Sequence, residues 1–151
     1  MAITTALCDS YILELLSGTH AAAEVYKIAL IKVGATGTYG AATTNAGTPG
    51  TGAPTAANLG TDEVTGTGYT SSGATLAGFS VTGTTTARLD FTTPTWSTAT
   101  ISAIGAIIYN SSKSNKAVAC FDFGGTVTST AGTFTVTMPT VGDSTSLIRI
   151  V

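Results

Sequence analysis

The sequence predicts a mainly β fold: one domain of short strands, β-sandwich-like, with one short α-helix near the N-terminus. Three observations predict it. Threonine makes up about one residue in five and glycine contributes 18 residues, a composition that favours strands and turns. Short apolar stretches alternate with turn signals, and a single early stretch has helical spacing instead. The 151 residues suit a single domain, 1–151, that can bury a core without disulfide or metal support.

The helix is predicted over residues 5–17. Apolar residues recur there at helical spacing, with Leu7 followed by Tyr11 and Leu15. Gly18 suits the left-handed position that follows a helix end. Because the apolar face is broad, we expect this helix to pack on a sheet or on a neighbouring subunit.

A first strand is predicted over residues 25–33, and a segment of different composition follows at residues 34–61. That segment is rich in Gly, Ala, Thr and Asn, carries no charge and has one aromatic residue, Tyr39. It has almost nothing to bury, so we expect either a mobile loop or an arm that a partner orders. Tyr39 is therefore a candidate interface residue.

The rest of the chain is predicted to be a series of short strands. The segments are residues 74–82, 86–92, 101–109, 117–123, 133–138 and 147–151. The turns between them include the glycine pair at 124–125, the pair at 142–143, and an exposed hairpin loop at 110–116. Such spacing is typical of a β-sandwich or barrel.

Two of these strands allow a prediction about burial. Alternation with threonine places Phe134, Val136 and Met138 on one face, which we expect to be buried. Residues 104–109 are apolar on both faces, which is typical of a central strand.

The pattern of charged and apolar residues argues against two classes of partner, nucleic acids and membranes. Only 9% of residues are charged, against roughly 25% in typical domains. The six basic residues are scattered and the net charge is -2, so direct nucleic-acid binding is not expected. No apolar run approaches the roughly 20 residues of a membrane span, so no membrane association is expected. A mean hydropathy of +0.37 suggests that partners cover part of the surface.

The two cysteines, Cys8 and Cys120, are interpreted as buried thiols in a protein made in a reducing cytosol. A disulfide between them is the alternative. A metal pair is not expected, because nothing nearby completes a ligand set.

The single histidine, His20, has Glu24 four residues later, a spacing that could serve metal binding or acid–base chemistry. No second histidine or nearby acid cluster supports either role. His20 is therefore interpreted as a polar residue of the turn between helix and strand.

Asp90 and Asp122 each lie in a strand-like segment and could face each other, as two carboxylates do in a glycosidase. Each lies on the face opposite its apolar neighbours. We therefore expect both to face solvent or to pair with Arg88 or Lys116.

Trp96 follows a turn and could stack on a sugar or a base, but a lone tryptophan is more typical of a core or interface anchor. It is the second candidate interface residue. The sequence contains neither a phosphate-binding loop nor a nucleophile elbow. It therefore predicts a protein that is not an enzyme, with no catalytic residue, no cofactor and no metal site.

Several segments together resemble a group of small tailed-phage proteins. They are EVTGTGYTSSGATL at 63–76, DFTTPTWSTAT at 90–100, GAIIYNSSK at 105–113, FDFG at 121–124 and LIRI at 147–150. Their order and spacing match along most of the chain. The segment at 34–61 is longer here than in that group.

The resemblance implies a virion structural protein, made in the host cytoplasm, of the capsid cement or decoration type, with a jelly-roll-like β-sandwich. Its expected partners are the major capsid protein and further copies of itself. A tail, neck or fibre-associated virion protein is the first alternative. A carbohydrate-binding β-sandwich that uses Trp96, Tyr69 and Tyr109 is the second.

Overall fold

The computed structural model describes residues 2–83, 86–140, 142 and 147–150, and within them the chain is mainly β, as predicted. The strands are β1 Ala2–Ile3, β2 Ala6–Leu7, β3 Tyr26–Lys32, β4 Thr38–Tyr39, β5 Ala74–Thr75, β6 Ser80–Thr82, β7 Ala87–Asp90, β8 Thr95–Asn110, β9 Lys116–Thr135 and β10 Ile148–Ile150. Helix α1 is Asp9–Leu16, and short 3-10 helices cover Gly60–Asp62 and Ser111–Lys113.

The largest sheet has five strands in the order β2-β9-β8-β3-β5, and its strands pair antiparallel. Its centre is the long hairpin of β8 and β9, in which Ile107 lies opposite Cys120. On the other side of β8, Ile28 of β3 lies opposite Ile108. Residues 106–109 of β8 are buried, so the prediction of a central strand is confirmed.

Two smaller sheets complete the fold. Strands β10, β7 and β6 form an antiparallel three-stranded sheet, and β1 and β4 pair in parallel. An aromatic cluster connects the three-stranded sheet to the largest one. Tyr26 of β3 stacks on Phe79, with ring centroids 5.0 Å apart, and Phe91 packs 5.6 Å from Phe79. Since Phe79 precedes β6 and Phe91 follows β7, this cluster fixes one sheet against the other.

Helix α1 begins at Asp9, four residues later than predicted. The reason is that Ala6 and Leu7 form β2, with Ala6 opposite Cys120 of β9. The pairing continues to Cys8, whose amide donates to the carbonyl of Val118. Gly18 has the predicted left-handed backbone, with φ of 69°.

The glycine pair at 124–125 forms a bulge where a turn was predicted, and β9 runs continuously through it. Gly105 lies opposite Asp122, whereas Ala103 lies opposite Val127, so two steps along β8 match five along β9. Gly124 has φ of 73°, and its amide donates to the Asp122 carboxylate at 2.9 Å. A left-handed glycine lets the chain add residues without leaving the sheet.

Other strand boundaries differ in smaller ways. The predicted strand 74–82 is two strands, β5 and β6. Burial of Phe134 and Met138 is confirmed, and Val136 is half-buried. Val136 and Met138 lie beyond the end of β9. The hairpin loop at 110–116 is present, but Asn110 is buried. Of the predicted turn at 142–143 and strand at 147–151, Asp143 and Val151 lie outside the described residues.

Residues 34–61 pack on the rest of the chain, so the expectation that they bury almost nothing is wrong. Tyr39, Ala46 and Leu59 are buried. The Ala46 amide donates to the Asn115 carbonyl of the hairpin loop at 2.8 Å, and the Leu59 amide donates to the Ala46 carbonyl at 2.8 Å. Small side chains allow this backbone to lie close to its neighbours, so that few large residues are needed.

Two glycines with similar backbone angles provide a test of this packing. Gly73 and Gly18 both have φ of 69°, but a Cβ on Gly73 would lie 1.9 Å from the Ile28 carbonyl oxygen, and one on Gly18 would meet nothing within 4 Å. We expect Gly18→Ala to lower the free energy of unfolding by about 1–2 kcal/mol, the cost of a left-handed alanine. Gly73→Ala adds overpacking and should cost about 3 kcal/mol or more. Urea unfolding measures both, and equal costs would contradict the packing described here.

Candidate interaction surface

The chain has two adjacent buried carboxylates, Asp62 and Glu63, that were not among the candidate residues predicted from the sequence. Asp62 accepts hydrogen bonds from the amides of Thr36 at 2.9 Å and Gly37 at 2.7 Å, and from the Tyr39 hydroxyl at 2.8 Å. Burial alone raises its pKa, but these bonds and the nearby Lys32 outweigh burial and hold the pKa of Asp62 below its usual range. Asp62 therefore fixes the start of the 34–61 segment.

Glu63, the second buried carboxylate, fixes the turn at residues 69–72. Its carboxylate accepts from the Tyr69 hydroxyl at 2.9 Å, the Ser71 hydroxyl at 2.9 Å and the Ser72 amide at 2.7 Å. Burial raises the pKa of Glu63, and the hydrogen bonds only partly oppose this. The Tyr69 hydroxyl also accepts from the Leu30 amide at 3.0 Å, which connects the turn to β3.

The surroundings of this pair indicate a structural role. Both residues are buried, and their oxygens are bound by donors of the chain itself. The sequence signal that could have found them is two successive acids in a chain with few charges, followed by a turn rich in hydroxyl groups.

His20 lies in a polar network that joins α1 to the hairpin loop, with its side chain 1% exposed. Its Nε2 donates to Glu14 at 2.8 Å, and the Asn110 amide donates to Nδ1 at 2.9 Å. The same amide donates to Glu24 at 2.6 Å. His20 and Glu24 are therefore connected through Asn110, in the turn where sequence analysis placed them.

Two lysines close this network at its ends. Lys116 pairs with Glu14, and Lys113 lies 3.0 Å from Glu24. Burial opposes ionisation of Glu24, but hydrogen bonds from Ala21, Asn110 and Lys113 lower its pKa to about 2. The network holds the short helix against the loop by charge-assisted bonds.

Asp90 and Asp122 are not brought together. Asp90 is on β7 of the three-stranded sheet and Asp122 is on β9 of the five-stranded sheet. Asp122 is exposed. Solvent exposure of Asp90 is wrong, because Asp90 is buried and accepts a hydrogen bond from the Leu147 amide at 3.0 Å. The alternative, pairing with Arg88 or Lys116, stays a prediction. The cysteines, Cys8 and Cys120, are buried free thiols, as expected.

The two candidate interface residues are core residues. Tyr39 is 1% exposed and Trp96 is 6% exposed. Trp96 packs between Tyr69 and Phe134, with ring centroids 6.0 Å away on each side. Neither side chain is available to a partner, because both complete the packing of the chain itself.

Large exposed apolar residues occur on α1 and on β6 instead. Leu16 is 84% exposed, Leu13 is 69% exposed and Val81 is 61% exposed, and Ile12 is also exposed. We call this surface the α1 patch. Two residues of the patch, Leu16 and Val81, also line a shallow, apolar cavity of about 300 Å³. The residues that line the cavity include Tyr11, Leu15, Leu16, Val81, Leu89 and Ile148.

The composition of α1 explains why the patch forms. Five of its eight residues, DSYILELL, are large and apolar, so they cover more of the helix than one contact with the sheet can bury. Tyr11 is the buried one. A cluster of exposed leucines beside an apolar cavity is characteristic of an interaction surface.

Comparison of the chain with protein-family models, with curated protein sequences and with solved structures found no match. None of the helices in the described ranges could span a membrane. Those ranges also bring no three His, Cys, Asp or Glu side chains into a group that could hold a metal ion.

The buried carboxylates give opposite pH dependences. The lowered pKa of Asp62 means that its ionised form stabilises the fold above about pH 4, a contribution lost as pH falls through the folded pKa. We expect Asp62→Asn to lower the free energy of unfolding by about 3 kcal/mol at pH 7, with the deficit narrowing toward pH 3.

Glu63→Gln is the matched variant for this experiment. The raised pKa of Glu63 means that its ionisation reduces stability as pH rises above about 4.3. A glutamine can still accept from Tyr69 and Ser72, so the expected loss at pH 7 is less than about 1 kcal/mol. Urea unfolding from pH 3 to 7 measures both, and equal losses at pH 7 would show that the two carboxylates do not differ as described.

Proposed function

We propose that the protein is a virion structural protein of the capsid cement or decoration type, which binds the outside of the major capsid lattice and stabilises it. The observation that carries the proposal is the α1 patch, an apolar surface suited to another protein. The resemblance of several segments to small tailed-phage proteins supports the particle as its location. The connection of the two larger sheets by Tyr26, Phe79 and Phe91 is compatible with the jelly-roll-like β-sandwich that this role implies.

In this proposal the protein acts by packing and has no catalytic residue, cofactor or metal. Each copy buries the α1 patch against the shell, where removing apolar surface from water drives association. Many copies on a symmetric shell raise the overall strength, even if each contact is modest. Neither nucleic acid nor a membrane is a partner.

The first alternative, a tail, neck or fibre-associated virion protein, uses the same patch and differs in copy number. Hundreds of copies per particle favour the shell, whereas about a dozen favour the tail, since symmetry sets the number. The carbohydrate-binding alternative has no support from its proposed platform. Trp96 and Tyr109 are buried and Tyr69 is half-buried, so none of the three offers an open ring face.

Leu16→Lys tests the proposal at the centre of the patch. Leu16 is 84% exposed, so the variant should fold normally. Its affinity for phage heads that lack the protein should fall by about tenfold to a hundredfold, because one buried leucine contact is lost and a charge is desolvated. Cosedimentation of purified protein with heads measures this affinity.

Val33→Lys is the control, since Val33 is also an exposed apolar residue but follows β3, outside the patch. It should bind as the unmodified protein does. Equal affinities for the Leu16 and Val33 variants would remove the patch as the docking surface. Heads that resist heat equally well with and without the protein would contradict a stabilising role.

A further inference from the structure

The two larger sheets end in very short strands, but one of these sheets also has a long unpaired edge. Strands β2, β5, β6 and β10, which end the two sheets, have only two or three residues each in the described chain. Short edge strands are a common protection against pairing with another chain. Strand β9 lacks this protection, because it continues well beyond the end of β2.

The outer edge of β9 is open over residues 123–135. Strand β2 pairs only with Ala119 and Cys120, and the Thr5 hydroxyl accepts from the Asp122 amide at 3.0 Å. Beyond Asp122, no strand in the described ranges pairs with this edge. Most of its residues are exposed. We call residues 123–135 the β9 edge.

The β9 edge also lacks the residues that usually prevent strand pairing. It contains no charged residue and no proline, and the four lysines of the chain lie elsewhere. Register shifts interrupt its pairing with β8 at three places, yet Val127 and Ser129 keep regular register with Ala103 and Ile101 of β8. Val127, in this regular stretch, is 42% exposed. The edge is therefore suited to receive a strand at 127–129.

We propose that the β9 edge pairs with the β9 edge of a second copy of this chain. An uncharged edge meets itself without like-charge repulsion, whereas a charged partner strand would find no opposite charge there. Antiparallel pairing about a twofold axis satisfies both copies equally. In the regular stretch 127–129, Thr128 would then lie opposite Thr128 of the second copy, and threonine pairs in such cross-strand positions are favourable.

This inference rests on the proposed structural role and deepens it, by naming the surface through which copies assemble. The α1 patch belongs to the helix and to β6 of the other sheet. Pairing at the β9 edge therefore leaves the patch available for a different protein. One copy would bind the shell protein through the α1 patch and a second copy of the chain through the β9 edge.

Two edge variants, Val127→Lys and Thr130→Lys, test the inference in the purified full chain. Sedimentation velocity should show the unmodified protein as a dimer or larger. Each variant should raise the dissociation constant by about tenfold or more, because a lysine on an edge strand disfavours pairing with another strand. Both positions are exposed, so thermal melts followed by circular dichroism should be unchanged, and either variant suffices if the other does not fold.

Val81→Lys is the matched control, since Val81 is an exposed valine on the edge strand β6 of the other sheet. It should assemble as the unmodified protein does. A monomeric unmodified protein, edge variants that assemble normally, or loss of assembly in the Val81 variant alone would each overturn the inference. Failure of the proposed function is distinguishable, because a dimer that does not bind phage heads contradicts that function and leaves the edge pairing intact.

Discussion

The fold depends on the backbone pairing of β8 with β9, two strands of 16 and 20 residues that form one long hairpin. Strands β2 and β3 are added to its two sides, and β5 is added to β3. The hairpin loop provides Asn110, Lys113 and Lys116, which bind the helix and the turn after it. A chain with so few charges thus uses many of them to position short elements against one long one.

Buried carboxylates extend this organisation to segments that have little apolar surface. Asp62 accepts hydrogen bonds from the amides of Thr36 and Gly37, and Glu63 accepts them from a hydroxyl-rich turn at 69–72. Each substitutes for a missing hydrophobic contact by accepting hydrogen bonds from several donors at once. The two differ in that ionisation is favoured at Asp62 and disfavoured at Glu63, since only the bonds to Asp62 outweigh burial.

Sequence reasoning succeeded where the pattern is local and failed where a distant partner decides. The alternation around Phe134 and the doubly apolar run at 104–109 predicted burial correctly, because side-chain period alone determines the face. Ala6 and Leu7 looked helical and instead pair with β9, and Gly124 forms a bulge because β8 continues beside it. The composition of residues 34–61 did not predict a packed loop, because a segment of small residues packs on the chain mainly through its backbone. The α1 patch was only partly predictable: the broad apolar face was visible, but which side the sheet covers was not.

In the part of the chain that the structure describes, the apolar α1 patch and the uncharged β9 edge are exposed, and both suit a protein that works by assembly. The most direct test of that account is an image reconstruction of the intact phage particle at a resolution that places individual side chains. We expect many copies on the outer face of the shell, with Leu13 and Leu16 buried against a neighbouring protein. Absence of the chain from the particle, or a helix α1 that faces solvent in every copy, would contradict it.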